Sequence, residues 1–150
     1  MFEEFYSFVR PPFGRDLQVS ELFLTESHKE MLARMQYAAE RRQFALCTGE
    51  VGAGKSTMAR LLDSKLSSAR YVVLYITDSD LTPRNFYYEV LHQLGHIPRF
   101  YRGDAKRQLN RVILDLYENH RKTPVIIIDE GHLLKREMLE EIRFLTNFKM

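Results

Sequence analysis

The sequence predicts an α/β fold in three layers, a parallel sheet with helices on both faces. Three observations carry that prediction. The apolar runs Tyr71–Ile76 and Val125–Asp129 are rich in β-branched residues and have the length of strands, the second reading as buried on both faces of a parallel sheet. Segments with apolar residues at helical spacing alternate with these runs. Between a short apolar run and a helical pattern lies Gly49-Glu50-Val51-Gly52-Ala53-Gly54-Lys55-Ser56, which fits G-x-x-x-x-G-K-[ST], the phosphate-binding P-loop.

Each element has its own justification. Residues 1–26 lack periodicity, carry Pro11-Pro12-Phe13-Gly14 and read as an extended lead-in to a core spanning 27–150. Ser27 followed by Glu30 looks like a capping box, opening a helix with Met31, Leu32, Met35, Ala38 and Ala39 on its apolar face. Gln43–Thr48 suits a first buried strand, with Cys47 as a small core residue. After the P-loop, Met58, Leu61, Leu62, Lys65 and Leu66 fall at helical spacing, with the stop near Ser67-Ser68. Tyr71–Ile76 is strand two. Thr82-Pro83 supplies an N-cap and a first helical residue for a helix that turns Phe86, Val90, Leu91 and Leu94 inward and ends at Gly95. Asp104 opens the next helix, whose buried stripe is Leu109, Val112, Ile113, Leu116 and Tyr117. Strand three is 125–129, and a last helix over about 135–147 buries Met138, Leu139, Ile142 and Leu145.

Composition narrows the function classes. The 150 residues make at most one domain, and a hydrophobic content of 45% is enough for a real core. No apolar run approaches the roughly 18 residues of a membrane span. The start, Met1-Phe2-Glu3-Glu4, is acidic where a secretory signal is basic, and one cysteine excludes an internal disulfide. A cytoplasmic setting is therefore expected. A net charge of +2 permits nucleic-acid binding without arguing for it.

The chemistry of the loop follows from its residue types. Glycines allow backbone N–H groups to curl around phosphate oxygens in conformations that a Cβ obstructs. The cradle is assigned to Gly49, Glu50, Val51, Gly52, Ala53, Gly54, Lys55, Ser56 and Thr57, with Lys55 as a point charge on the β- and γ-phosphates. Ser56 offers a hydroxyl to Mg²⁺, and Asp129, at the carboxyl end of strand three, is the second metal ligand. Glu130 is the candidate for polarising an attacking water, which makes Lys55 and Glu130 the catalytic pair and ATP with Mg²⁺ the expected ligands.

Other residues carry two readings each. His132 either senses nucleotide or faces solvent. The basic residues Arg99, Arg102, Lys106, Arg107 and Arg111, close to Phe100 and Tyr101, either track a DNA backbone or form a solvated helix face. Phe8, Pro12 and Phe13 either line an adenine pocket or anchor the lead-in. Asp78 and Asp80 are taken as loop polar residues rather than metal ligands.

The pairing of Gly49–Thr57 with Val125–Glu130 resembles the Walker A and Walker B motifs of the AAA+ ATPases, P-loop NTPases of the additional-strand type. More narrowly, the chain resembles the ExeA-like (general secretion pathway protein A) group and the related bacterial transposition-regulator ATPases. Phe5-Tyr6, Pro12-Phe13, Ser27–Leu32, Asp129–Leu134 and Glu140–Phe148 carry that narrower likeness. The resemblance implies ATP hydrolysis by the complete protein and assembly into homo-oligomers. It also implies a partner, for which a DNA-associated role with a transposase is expected first because the basic cluster fits it; the alternatives are a secretion-complex partner or a nucleotide-gated scaffold that hydrolyses little. It further implies a five-stranded sheet in the order 5-1-4-3-2, of which this chain supplies three strands. Strand four, sensor 1, the arginine finger and the lid have no counterpart here, so a fragment of a longer reading frame is expected. Strand four would separate strands one and three.

Overall fold

The computed structural model describes residues 2–9, 11 and 17–145. Pro12, Phe13 and Thr146–Phe148, which figured in the sequence reading, lie outside the described residues. In chain order the helices and strands are α1 (Phe2–Phe5), α2 (Glu26–Arg41), α3 (Lys55–Lys65), β1 (Tyr71–Ile76), α4 (Pro83–Gln93), α5 (Arg102–Glu118), β2 (Thr123–Ile128) and α6 (Arg136–Leu145). Short 3₁₀ turns lie at Val19–Glu21 and Gly131–Leu133. The lead-in is therefore not wholly extended: its Gln18 and Glu21 form a small capping box, and Val19 and Leu24 pack against the core.

β1 and β2 run parallel in register, from Tyr71 opposite Thr123 to Ile76 opposite Ile128. Because side chains alternate along a strand, the pair separates two apolar clusters. On one face Leu74 and Ile76 join Phe86, Tyr87, Val90 and Leu91 of α4, Leu109 and Ile113 of α5 and Met138 of α6. On the other, Ile127 packs against Leu32 of α2 and Met58, Leu61 and Leu62 of α3. Helices thus cover both faces of a parallel sheet, the layering of a P-loop α/β fold.

The sheet itself is smaller than the sequence suggests. Among the described residues it has two strands, and Gln43–Thr48 joins no ladder. The predicted first strand leaves Phe44 58% and Leu46 88% exposed, so it is not buried. Cys47 is only partly buried, its thiol 3.3 Å from Met31 Sδ. The physical reason lies at the outer edge of β2. An extended segment becomes a strand only when its N–H and C=O groups find a neighbouring ladder, and 43–48 has none. The same open edge leaves every residue of β2 partly buried, where the sequence implied burial on both faces.

Local signals differ in detail. The cap of α2 is Thr25, not Ser27: Thr25 Oγ1 accepts from His28 N (3.3 Å), and His28 Nδ1 accepts from Thr25 N (3.4 Å). The imidazole takes the place that a glutamate fills in the usual box. Thr82 caps α4 through Asn85 N, with Pro83 inside the first turn, and Gly95 ends it at φ +80°. α5 starts at Arg102, two residues before Asp104. In α6, Met138, Ile142 and Leu145 face the core as expected, but Leu139 is 52% exposed and Glu141 is buried.

Glu141 has partners that the local pattern does not contain. It accepts hydrogen bonds from Tyr87 Oη of α4, from Arg102 and from Lys106 Nζ (2.8 Å) of α5. A buried carboxylate is tolerated only when its charge is matched and its oxygens are bonded. Burial alone would raise its pKa, but Lys106, Tyr87 and Arg102 hold it down to about 2. A depressed carboxylate pKa contributes stability above the unfolded value of 4.5, which is lost as pH falls towards about 2. Urea midpoints of the wild type should therefore drop over that window, and those of Glu141→Gln should follow a flatter profile. At pH 7 Glu141→Ala should lose about 2 kcal/mol, since it strands a buried phenol and two part-exposed cations.

Candidate nucleotide-binding site

The loop between Gly49 and Lys55 is shaped by backbone conformations that favour glycine. Gly52 and Gly54 both sit at φ +82°, and Gly54 is the N-cap of α3 without a side-chain hydrogen bond to the helix end. The first N–H groups of α3 thus open towards the loop, where the helix dipole favours an anion. Ala53 N donates to Glu50 O (3.2 Å), closing the turn at the loop tip, and Val51 is fully exposed there. Lys55 folds back over the loop, donating from Nζ to Gly49 O (2.9 Å) and Glu50 O (2.8 Å). Its ammonium is therefore held in the loop's concavity by carbonyls, where phosphate oxygens are the stronger partners.

Asp129 follows β2 directly, at the carboxyl end of the sheet. Its Oδ2 accepts from Ser56 Oγ at 2.8 Å and from Tyr75 Oη at 2.7 Å, and its Oδ1 accepts from Glu130 N at 2.9 Å. The hydrogen bonds from Tyr75, Ser56 and the Glu130 backbone, in that order, hold the carboxylate below its ordinary pKa against the opposing effect of burial. The Tyr75 phenol is pushed the other way, to about 12, by burial and by its bond to Asp129. At neutral pH the pair is a phenol donating to a carboxylate.

The structure thus brings Gly54, Lys55, Ser56, Thr57 and Asp129 to one end of the sheet. Glu130 lies next to Asp129 but is exposed, in left-handed conformation at φ +54°, with its carboxylate 3.3 Å from His132 Nδ1. For a residue with a Cβ that conformation costs of order 1 kcal/mol, and here it turns the chain into the 3₁₀ turn at Gly131–Leu133. Asp78 and Asp80 stand apart: Asp78 Oδ1 accepts from Asp80 N, and Asp80 pairs with Lys135 at 2.8 Å. Phe8 stacks on Tyr6.

Two residues at the site were not found by sequence reasoning. Tyr75 lies on a strand, where an aromatic is ordinarily a packing residue. His28 Nε2 lies 3.3 Å from Ala53 O, tying the cap of α2 to the loop. The motif contains neither, and only the three-dimensional register connects them to it.

Three of the five residues of the basic cluster are engaged by carboxylates of this chain. Arg102 pairs with Glu137 and Glu141, Lys106 with Glu141, and Arg107 with Asp104.

The donor set suits Mg²⁺. Ser56 and Asp129 offer hard oxygens 2.8 Å apart beside the N-terminus of α3. Mg²⁺ commonly takes one or two protein oxygens and completes its shell with phosphate and water. Among the described residues no cluster of three or more His, Cys, Asp or Glu competes as a metal site. Gly54→Ala should destabilise the chain by about 1 kcal/mol in urea unfolding. The cost lies in the backbone, because a Cβ there would meet His28 Nε2 at an ordinary 3.5 Å.

Comparison with known proteins identifies the family. The AAA domain family matches residues 35–150. General secretion pathway protein A of Aeromonas hydrophila is 31% identical over 157 aligned positions, covering 99% of this chain and 27% of that protein. The chain therefore spans about a quarter of that relative's length. No solved structure matches. No described helix is long and apolar enough to cross a membrane. From motif, layering and match together, the chain belongs to the AAA domain family and is, within it, similar to General secretion pathway protein A.

Proposed function

We propose that the chain is the nucleotide-binding part of an ATPase that uses Mg·ATP. The observation that carries this reading is the 2.8 Å bond between Ser56, at the start of α3, and Asp129, at the end of β2. It joins the two oxygens that a phosphate-bound Mg²⁺ requires, at the mouth of a loop bearing Lys55. Backbone N–H groups from Gly49 to Thr57 cradle the phosphates, and Lys55 exchanges its loop carbonyls for β- and γ-phosphate oxygens. Ser56 and Asp129 would hold Mg²⁺, and the chemistry that the ion would supply is neutralisation of phosphate charge. Glu130 orients the water, and its neighbour His132 limits where that carboxylate points.

Of the roles left open by the sequence, work with a secretion-complex partner is the better supported. The likeness to General secretion pathway protein A runs along nearly the whole chain. The DNA-associated alternative, with a transposase partner, rested on the basic cluster. Arg102, Lys106 and Arg107 of that cluster are engaged by carboxylates of this chain.

Lys55→Ala should reduce the affinity for a fluorescent ATP analogue by at least about tenfold, the scale of one lost charge-assisted contact. Unchanged binding would remove the P-loop from its role. In a longer version of the protein that turns over ATP, Glu130→Gln should retain nucleotide and slow hydrolysis by about 100-fold or more. Normal turnover in that variant would show that Glu130 does not position the water.

A further inference from the structure

Asp129 is the first residue after β2, and a carboxylate at a strand end is free to rotate unless something fixes it. Three donors do so, and they come from three different places. Ser56 reaches it from α3, Glu130 N from the following turn and Tyr75 Oη from β1. The two hydroxyls converge on the same oxygen, Oδ2. Ile76 lies opposite Ile128, so Tyr75 stands one residue before that pair on β1 and Asp129 one residue after it on β2. A phenol has the length to span that diagonal; a shorter side chain does not.

Tyr75 is itself held. Its main-chain N–H and C=O lie on the edge of β1 away from β2, where no strand pairs among the described residues. The Gln93 carboxamide occupies both: Oε1 accepts from Tyr75 N (3.1 Å) and Nε2 donates to Tyr75 O (2.9 Å). The same amide donates to Glu89 Oε1 at 2.6 Å, which fixes its orientation on α4. One side chain thus stands in for a neighbouring strand at the residue whose phenol reaches Asp129.

We propose that Tyr75 is a positioning residue for the nucleotide site, holding the Asp129 carboxylate in the orientation that receives Mg²⁺. The inference rests on the reading of Ser56 and Asp129 as the metal ligands. Ser56 belongs to the nucleotide loop and would have to turn a lone pair from its bond to Asp129 towards the cation. Tyr75 belongs to the sheet, and its hydroxyl donates to Asp129 without being needed as a metal ligand. A purely packing role is satisfied by the ring, which lies on the α3 side of β1 near Val73 and Arg60. The hydroxyl goes beyond that requirement. Outer hydrogen-bond partners of metal ligands commonly govern metal affinity by about one to two powers of ten.

The test compares wild type and Tyr75→Phe for binding of a fluorescent ATP analogue in EDTA and across a Mg²⁺ titration. Affinity in EDTA should agree within about twofold, whereas the Mg²⁺ concentration that gives half of the enhancement should rise about tenfold. On an Asp129→Asn background Tyr75→Phe should add nothing, because the phenol acts through that carboxylate. Equal Mg²⁺ curves for wild type and Tyr75→Phe, or an undiminished effect in Asp129→Asn, would overturn the inference and leave the nucleotide reading intact. Failure of the wild type to bind the analogue at all would instead remove the reading on which it rests. If Tyr75→Phe does not fold, 3-fluorotyrosine at position 75 of the otherwise unaltered chain replaces it. Its ¹⁹F resonance should move when Mg²⁺ is added to the nucleotide-bound chain, and a resonance that stays fixed counts against the proposal.

Discussion

The parallel ladder between β1 and β2 is the contact on which the site depends. It places Tyr75 and Asp129 on a diagonal at one end of the sheet, within reach of a single hydroxyl on α3. Both strands line the cluster that holds α4, α5 and α6, and β2 alone lines the one that holds α2 and α3, so helices on both faces pack against this ladder. Ile127 on one face seats α3, and Ile126 and Ile128 on the other face the cluster built from α4, α5 and α6. Displacing α3 from the sheet would separate Ser56 from Asp129 as surely as mutating either. The apolar packing therefore carries the energy, and the hydrogen bonds to Asp129 carry the geometry.

A second constraint is the unmatched backbone at the sheet edges. On the β1 edge, Gln93 answers it with a carboxamide. On the β2 edge, Pro124 removes one donor outright, and no further strand pairs there among the described residues. The segment 43–48 leads into the P-loop without a ladder of its own, and its exposed Phe44 and Leu46 mark the place where the layering is least complete. The loop is held instead by contacts at its far side: His28 to Ala53, Lys55 to Gly49 and Glu50, and Ser56 to Asp129.

Much of this was legible in the sequence where the signal is local. Tyr71–Ile76 is the strand that its β-branched run suggests, and Thr82-Pro83 caps α4 because side-chain capping and a fixed proline φ act within a single turn. The P-loop was legible because its glycines meet a backbone requirement. What escaped depends on distant partners. The run at 43–48 has strand composition but no neighbour to pair with. Glu141 is buried because Arg102 and Lys106 arrive from another helix, and no periodicity within α6 encodes that. Tyr75 reads as an ordinary strand aromatic until the register of β1 against β2 is known.

The central claim is that the P-loop and Asp129 form one metal–nucleotide site, and Mn²⁺ in place of Mg²⁺ tests it most directly. Electron paramagnetic resonance of Mn·ATP added to the wild-type chain should show an immobilised, protein-bound Mn²⁺ signal. The same titration of Asp129→Asn should leave most of the Mn²⁺ with the spectrum of free Mn·ATP. Identical bound spectra and occupancies in the two proteins would contradict the account, because the carboxylate at the end of β2 would then have no part in holding the metal.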